Sequence, residues 1–167
     1  MLVLWRKPKK HVDMKRAFFY LSAVVCALSL MTSCLHEVTP DSMSGTFYGK
    51  MDVEINIPNL KVDELKLPGK QATVCKVNES YVDITLDLNL AQYIDASLAA
   101  LIGQNLDFGH ITARCLVGPT IDGEASLSGT ATIAGKTIPV YGEYDERTLD
   151  VTLALGIVTI EFEGFRK

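Results

Sequence analysis

From Gly45 onward, apolar and polar side chains alternate along most of the chain. The longest unbroken run is Tyr81 to Leu90, in which every second residue is Val, Ile or Leu. A period of two residues is typical of a β-strand with one face on a core. Pro68-Gly69 and Gly118-Pro119 are expected to end strands. Similar runs predict strands at 50–57, 60–67, 71–77, 81–90, 106–117, 125–133, 137–144, 149–155 and 157–165.

The period changes at Ala91, where apolar residues follow a helical spacing up to Gly103, a candidate C-terminal cap. The residues with this spacing are Tyr93, Ile94, Leu98, Leu101 and Ile102. The sequence therefore predicts an all-β protein of about eight or nine strands with one short helix. Short connections in meander order favour an antiparallel barrel or a sandwich. A barrel has the advantage of closing the exposed strand edges.

The first 33 residues differ from the rest of the chain. Met14-Lys15-Arg16 precedes an apolar run that ends at Leu30, shorter than the roughly 20 residues that cross a bilayer. A basic start and a short apolar segment are typical of a secretory signal. The sequence predicts a signal peptide at 1–33, with Met1 or Met14 as the true start, a tether at 34–44 and a barrel domain at 45–167.

Leu30-Met31-Thr32-Ser33-Cys34 resembles the lipobox of bacterial lipoproteins. The resemblance implies that the Cys34 thiol carries diacylglycerol and that Cys34 becomes the first residue of the mature chain, held in a membrane by its acyl chains. The alternative is an ordinary signal peptide with an incidental cysteine. We expect a location in the cell envelope, at the outer membrane, with the periplasmic or surface face left open.

Removal of residues 1–33 changes the charge of the chain. The whole sequence has a net charge of −4, from 16 Lys and Arg against 20 Asp and Glu. The leader contains six of the basic residues and one of the acidic ones, which leaves ten against 19 and a net charge of −9. Nucleic-acid binding requires a basic surface that displaces counterions from phosphates. The charge therefore argues against a nucleic acid as partner.

Five segments carry a family resemblance in their order and spacing. They are Gly45-Thr46-Phe47-Tyr48-Gly49-Lys50, Tyr81-Val82-Asp83-Ile84, Gly109-His110-Ile111, Leu149-Asp150-Val151-Thr152-Leu153 and the stretch from Ile157 to Gly164. Together they resemble the calycin-like (lipocalin-like) lipoproteins of Bacteroidetes, with Gly45-x-Phe47 where true lipocalins have Gly-x-Trp. The resemblance implies an up-and-down barrel. It implies no particular ligand, because barrels of about eight strands are either filled by side chains or hold one small molecule.

Two cysteines remain in the mature domain besides Cys34. Cys75 and Cys115 form a disulfide that closes a loop of about 40 residues, or they stay free as small apolar side chains. The spacing alone leaves both alternatives open. Asp41-Ser42-Met43 resembles the three-residue O-glycosylation site of Bacteroidetes, which makes Ser42 a candidate for modification.

The sequence offers little for catalysis. His110 is the one plausible base of the folded domain, and it has no second His or Cys at metal-ligand spacing. No Gly-x-Ser-x-Gly is present. The pairs Asp83 with Asp87 and Glu161 with Glu163 are interpreted as solvated strand faces rather than as a calcium site. We therefore predict a protein that is not an enzyme and has no metal or cofactor.

Aromatic residues provide candidates for a ligand cavity near the predicted helix, with core packing as the alternative. The candidates are Phe47, Tyr81, Tyr93, Phe108, Tyr141 and Phe162. The first function hypothesis is the binding of a small apolar or amphipathic molecule in the barrel mouth. The second is a structural or adhesive module that binds protein or glycan through its outer face. The sequence identifies no protein partner.

Overall fold

Eight long antiparallel strands close into a barrel in the computed structural model, which describes residues 37–57, 60–61, 64–93 and 107–167. The described elements are α1 (Pro40–Met43), β1 (Gly45–Ile57), β2 (Leu60–Lys61), β3 (Leu65–Lys76), β4 (Tyr81–Asn89), β5 (Asp107–Ile121), β6 (Glu124–Ile133), β7 (Lys136–Asp145), β8 (Thr148–Leu155) and β9 (Val158–Arg166). From β3 onward each strand pairs with the next one in sequence, and β9 returns to pair with β1. The two residues of β2 pair only with the end of β1. The predicted fold class is confirmed.

The alternation along the strands places the apolar side chains inside the barrel. In β4, for example, Val82, Ile84, Leu86 and Leu88 are buried, and the residues between them lie on the outer surface. Each of the eight long strands contributes in the same way to one continuous apolar core. Within the described residues, no polar or charged residue is buried. The barrel therefore has an apolar interior and a polar exterior.

The structure corrects two predicted strand ends. Strand β3 continues through Pro68-Gly69, because Gly69 adopts a φ of 72° and forms a bulge opposite the Gly49–Lys50 step of β1. Strand β5 continues through Gly118-Pro119 by a similar register shift against β6. A bulge tolerates the missing N–H of proline and bends the strand. Residues that interrupt a strand in sequence therefore serve here as corners of a closed barrel.

The described helix is not the predicted one. The helix expected from Tyr93 to Ile102 falls mostly outside the described residues, and Ala91 to Tyr93 form a turn. A four-residue helix, α1, lies instead in the segment predicted as an irregular tether, which is folded from Val38 onward. In the described part of the chain, no helix has the length and apolarity needed to cross a membrane.

Candidate functional site

The two ends of the barrel differ. We call the end where β1 begins and β9 ends the plug end; it also contains the turns at 77–80, 122–123 and 146–147. We call the opposite end, with the turns at 134–135 and 156–157, the mouth. The chain enters the barrel at the plug end through α1. The two ends are therefore two separate candidate sites.

Along the described strands, the interior between the two ends is filled. Every side chain of the apolar core is at most 8% exposed, and large residues such as Phe47, Met51, Leu86 and Phe162 are at most 1% exposed. A cavity wide enough for a ligand would leave its lining side chains accessible. The described interior is thus a packed core. Any ligand of this barrel has to bind near an end or on the outer surface.

The helix α1 closes the plug end. Thr39 and Ser42 form a reciprocal cap, in which the Thr39 hydroxyl accepts from the Ser42 N–H at 3.2 Å and Ser42 Oγ accepts from the Thr39 N–H at 2.9 Å. Pro40 occupies the first turn, where its missing N–H costs nothing. Met43 is completely buried in the core. Since an isolated four-residue helix is unstable in water, these caps and the burial of Met43 hold α1 in position.

Two side chains from distant strands bind the same carbonyl of α1. The Tyr144 hydroxyl donates to the Ser42 carbonyl at 3.2 Å, and Arg166 Nη1 donates to it at 2.8 Å. The Arg166 guanidinium also lies over the Phe47 ring, with Cζ 5.0 Å from the centroid. Phe47 and Tyr144 meet edge to face at 6.0 Å. Burial raises the pKa of the Tyr144 phenol, which therefore remains a donor at neutral pH.

Tyr144 and Arg166 were not among the predicted site residues. Their partners lie more than 100 residues away along the chain, and no local pattern indicates such contacts. For α1, by contrast, the sequence does contain a local pattern. Thr39-Pro40 followed by Ser42 combines an N-cap residue, a proline in the first turn and a polar residue three positions after the cap.

Ser42, the candidate O-glycosylation residue, is half-buried in α1. Its hydroxyl donates to the Thr39 carbonyl at 2.9 Å as well as accepting from the Thr39 N–H. A glycan on this oxygen removes the donated bond. The modification stays a prediction.

The mouth has a cleft of about 480 Å³, within the usual range for small-ligand sites. Its described lining is mostly apolar, with Lys136 as the charged group, and includes Phe108, Ile133, Thr137, Ile138 and Leu155. Small residues of the two turns, Ala134 and Gly156, also line it. This cleft is the best candidate for a ligand site in the described residues.

The six predicted lining residues do not meet in one cavity. Phe108 lines the mouth cleft, whereas Phe47 and Phe162 are packed inside the core. Tyr81, Tyr93 and Tyr141 are exposed on the outer surface or in a turn. The prediction of a shared lining is therefore wrong for five of the six. Alternation sends neighbouring strand residues to opposite faces, and aromatic character alone does not indicate which face a residue occupies.

The candidate disulfide is not formed, and both cysteines of the domain are free. Cys75 on β3 is exposed and Cys115 on β5 is buried, so the two thiols lie on opposite faces of the barrel wall. Strand β4 runs between them, with Asp83 beside Cys75 and Val82 beside Cys115. Strands two positions apart are separated by about 9.6 Å, beyond the Cα distance of a disulfide. Burial, with a smaller effect of the Asp83 charge, raises the pKa of Cys115 to about 11.

The candidate base His110 is exposed on β5, opposite Asp87 of β4. A shallow outer depression of about 500 Å³ borders it and includes Thr85 and Tyr93. Within the described ranges, no group of three or more His, Cys, Asp or Glu is arranged to hold a metal ion. The absence of catalysis stays a prediction.

The outer surface of β1, β7, β8 and β9 forms an acidic face, which we define by Asp52, Glu54, Glu143, Asp150, Glu161 and Glu163. Asp150 lies directly opposite Glu143 on one side and Glu163 on the other. Burial and then the charges of Glu163, Asp145 and Glu143 raise the pKa of Asp150. Lys50 relieves part of this repulsion, because its Nζ is 2.8 Å from Glu163 Oε2.

On the other side of the barrel, Asp83 and Arg114 form a bidentate ion pair. Both bonds, from Nε to Oδ1 and from Nη2 to Oδ2, measure 2.9 Å. The hydrogen bonds from Arg114 lower the pKa of Asp83 despite partial burial of the carboxylate. Both oxygens of Asp83 are therefore paired with Arg114, so Asp83 and Asp87 are not two unpaired carboxylates on one strand face.

The comparisons with known proteins show a similar fold and no family. No protein-family model and no curated protein matches the chain. Among solved structures, it is similar to the crystal structure of a putative outer membrane protein from Bacteroides fragilis, with a TM-score of 0.55 and 16% sequence identity. The similarity covers 76% of this chain and 52% of that one, so this chain spans about half the length of its structural relative.

Proposed function

We propose that this protein is a lipid-anchored, non-catalytic, calycin-like protein of the bacterial cell envelope that binds a small apolar or amphipathic ligand at the mouth of its barrel. The observation that carries the ligand is the mouth cleft of about 480 Å³ with its apolar lining. Because the described interior is packed, the ligand lies at the entrance and not along the barrel axis.

The envelope location is supported by the lipobox-like Leu30 to Cys34 and by the likeness to the Bacteroides fragilis structure. The barrel has polar side chains outside and apolar ones inside, whereas transmembrane barrels present an apolar band to lipid. The barrel thus belongs in water, with the acyl chains on Cys34 as its attachment. Intact-mass analysis of the chain purified from membranes tests this, because an unmodified Cys34 refutes lipidation.

The cleft is tested with the apolar fluorescent probe N-phenyl-1-naphthylamine. Ala154 is exposed and lines the cleft, so Ala154→Trp fills it and is expected to weaken binding at least tenfold. Thr130→Trp is the matched control, since Thr130 is exposed on β6 away from the cleft lining. Equal binding by the parent and Ala154→Trp, or no binding by the parent, overturns the ligand proposal.

A second candidate function follows from the packed interior. If no probe binds, a structural or adhesive module that contacts protein or glycan through its outer surface is the better proposal. Tyr141 supports this alternative, because it is exposed in the middle of β7 among the small polar residues Ser128 and Thr152 of the paired strands. Tyr141→Ser then lowers binding to the partner and leaves the fold intact, as judged by circular dichroism.

Non-catalysis is part of the same proposal. It is supported by the exposed position of His110, which lies opposite the exposed Asp87 and borders a shallow outer depression. Any activity found in the purified protein that His110→Ala abolishes, with the folded state retained, contradicts it.

A further inference from the structure

We propose that the plug end of the barrel rests on the lipid surface through a collar of exposed apolar residues, so that the mouth points away from the membrane. This inference rests on the proposed lipidation of Cys34, and it adds an orientation and a lipid-contacting surface. We define the collar by the six residues Tyr48, Val77, Tyr81, Leu116, Ile121 and Phe165.

The chain between Cys34 and the barrel is short and leads to the plug end. Val38 donates its backbone N–H to Thr120 Oγ1 at 2.9 Å, which ties the entering chain to the tip of the β5–β6 hairpin. Only three residues, Leu35, His36 and Glu37, lie between Cys34 and Val38. Whatever path they follow, the four steps from the Cα of Cys34 to the Cα of Val38 span at most about 14 Å. A lipid on Cys34 therefore holds the plug end close to the bilayer.

Hydrogen bonds from the barrel strands also hold the α1 segment in place. Arg166 and Tyr144 both bind the Ser42 carbonyl, and the Lys76 N–H donates to Ser44 Oγ at 3.1 Å. The segment between the lipid and the first strand is therefore not a long free linker. A short connection to a fixed helix limits how far the barrel can tilt or turn over.

Six of the eight exposed large apolar side chains in the described residues belong to the collar, which supports the proposal independently of the attachment. Ile121, at the tip of the β5–β6 hairpin beside Thr120, is 68% exposed, and Phe165 near the end of β9 is 52% exposed. Within the described residues, Tyr93 is the one exposed large apolar side chain at the mouth, and Tyr141 lies in the middle of β7. Exposed aromatic and aliphatic residues are characteristic of surfaces that contact the membrane interface.

The collar occupies different sides of the barrel. Tyr48 lies directly opposite Phe165 on β1 and β9, whereas Tyr81 lies directly opposite Leu116 on β4 and β5. Strand β3 separates β1 from β4 in the sheet order. Apolar contacts on several sides of one end fit a barrel that stands on the membrane, and they do not fit one that lies on its side.

The charges of this end determine the type of lipid. Asp122, Glu124, Asp145 and Glu146 lie near Ile121, with Arg147 as the adjoining base. On the other sides of this end, Lys76 is paired with Asp41 and Glu79, and Lys167 lies over the Tyr48 ring, so acidic residues outnumber basic ones. Anionic lipid repels such a surface. The collar is therefore expected to contact zwitterionic phosphatidylcholine or phosphatidylethanolamine, and the contact is expected to weaken as anionic lipid is added.

The experiment uses the mature chain purified from membranes and reconstituted into phosphatidylcholine vesicles. In a Cys75→Ser background, Ile121→Cys or Phe165→Cys introduces a bimane label into the collar, and Thr137→Cys introduces it at the mouth, where Thr137 is exposed. Cys115 is buried and stays unlabelled. Lipids with brominated acyl chains then report which label approaches the bilayer.

The expected result is at least twofold stronger quenching at positions 121 and 165 than at 137. Equal quenching at both ends, or stronger quenching at 137, overturns the proposal. Intact mass of the same preparation reports lipidation separately. If Cys34 is unmodified, the anchor proposal fails, and the same labelled variants are prepared with Cys34→Ser in addition and mixed with the same vesicles. End-selective quenching then supports the collar on its own, and its absence overturns it.

Discussion

Arg166, the penultimate residue, lies over the ring of Phe47 on the first strand, with Cζ 5.0 Å from the ring centroid. The same guanidinium donates to the Ser42 carbonyl of α1 at 2.8 Å. The Arg166 side chain thus links β9, β1 and α1. The contact fixes α1 on the barrel end where the chain enters, and the stability of that end depends on it.

Replacement of Arg166 by methionine keeps an unbranched stem over Phe47 and removes the guanidinium. We expect a loss of about 1 to 2 kcal/mol in the free energy of unfolding, since a charged hydrogen bond and a cation–π contact disappear. The loss is limited because, within the described part of the chain, Arg166 Nε and Nη2 have no hydrogen-bond partner. Urea denaturation measures the change. Arg147→Met, at an exposed turn position, is the control, and equal stability of both variants would contradict the role of Arg166.

The two thiols of the mature domain are expected to differ in reactivity. Cys75 is exposed, whereas Cys115 is buried with its pKa raised to about 11. At pH 7 the thiolate fraction of Cys115 is on the order of one in ten thousand. A thiol reagent followed by peptide mass analysis should modify Cys75 and not Cys115 in the native chain, and both of them after unfolding in denaturant without reductant. Modification of neither would indicate a disulfide and contradict the free thiols.

Asp150 is expected to destabilise the barrel at neutral pH. Its pKa is raised in the folded state, which means that folding favours the protonated form of Asp150. The stability that results is present below the unfolded pKa and is lost as pH rises through the folded pKa. Asp150→Asn should therefore raise the free energy of unfolding at pH 7 by about 0.2 to 1 kcal/mol, the usual size of a cross-strand pair interaction, since like charges directly opposite each other are destabilising. The gain should vanish near pH 3, where the carboxylates are protonated.

The measurement for Asp150 is urea denaturation of both chains at pH 7 and pH 3. The exposed Glu37, which precedes α1, provides a control through Glu37→Gln. A gain in the Asp150→Asn variant that persists at pH 3 would mean that repulsion is not its cause.

Asp83 should behave in the opposite direction. Arg114 lowers its pKa in the folded state, so the stability it contributes is present above the unfolded pKa and falls away as pH drops through the folded value. Asp83→Asn is expected to destabilise the chain at pH 7 by up to about 1 kcal/mol, a value limited by the solvent exposure of Arg114. Denaturation at pH 7 with Asp87→Asn as the comparison tests this. A larger effect at low pH than at pH 7 would refute it.

Gly129 allows β6 to approach β5 closely. A Cβ at this position overlaps the Arg114 carbonyl oxygen and lies 2.7 Å from Cys115 Cα. Since both contacts are to backbone, Gly129→Ala should cost about 1 to 3 kcal/mol, as overpacking typically does. Thermal or urea unfolding measures the loss. Ser128→Ala, the exposed neighbour, should change stability little, and a similar loss in both would contradict this explanation.

The strands could be predicted because their signal is local. In β4 and β8, side chains two residues apart share a face, so their burial is visible in the order of the residues. The same reasoning failed at Pro68-Gly69, where a bulge continues the strand. Whether a glycine ends a strand or bends it depends on the pairing of the neighbouring strand, which the local order does not contain.

By itself, the sequence determined the antiparallel class, the apolar interior and the candidate anchor at Cys34, because each depends on neighbouring residues. Only the tertiary structure decided the filled interior, the free cysteines on opposite faces and the position of α1. These depend on contacts such as Tyr144 and Arg166 with Ser42, between residues more than 100 positions apart. Such contacts require the closed barrel, because closure brings the first and last strands together.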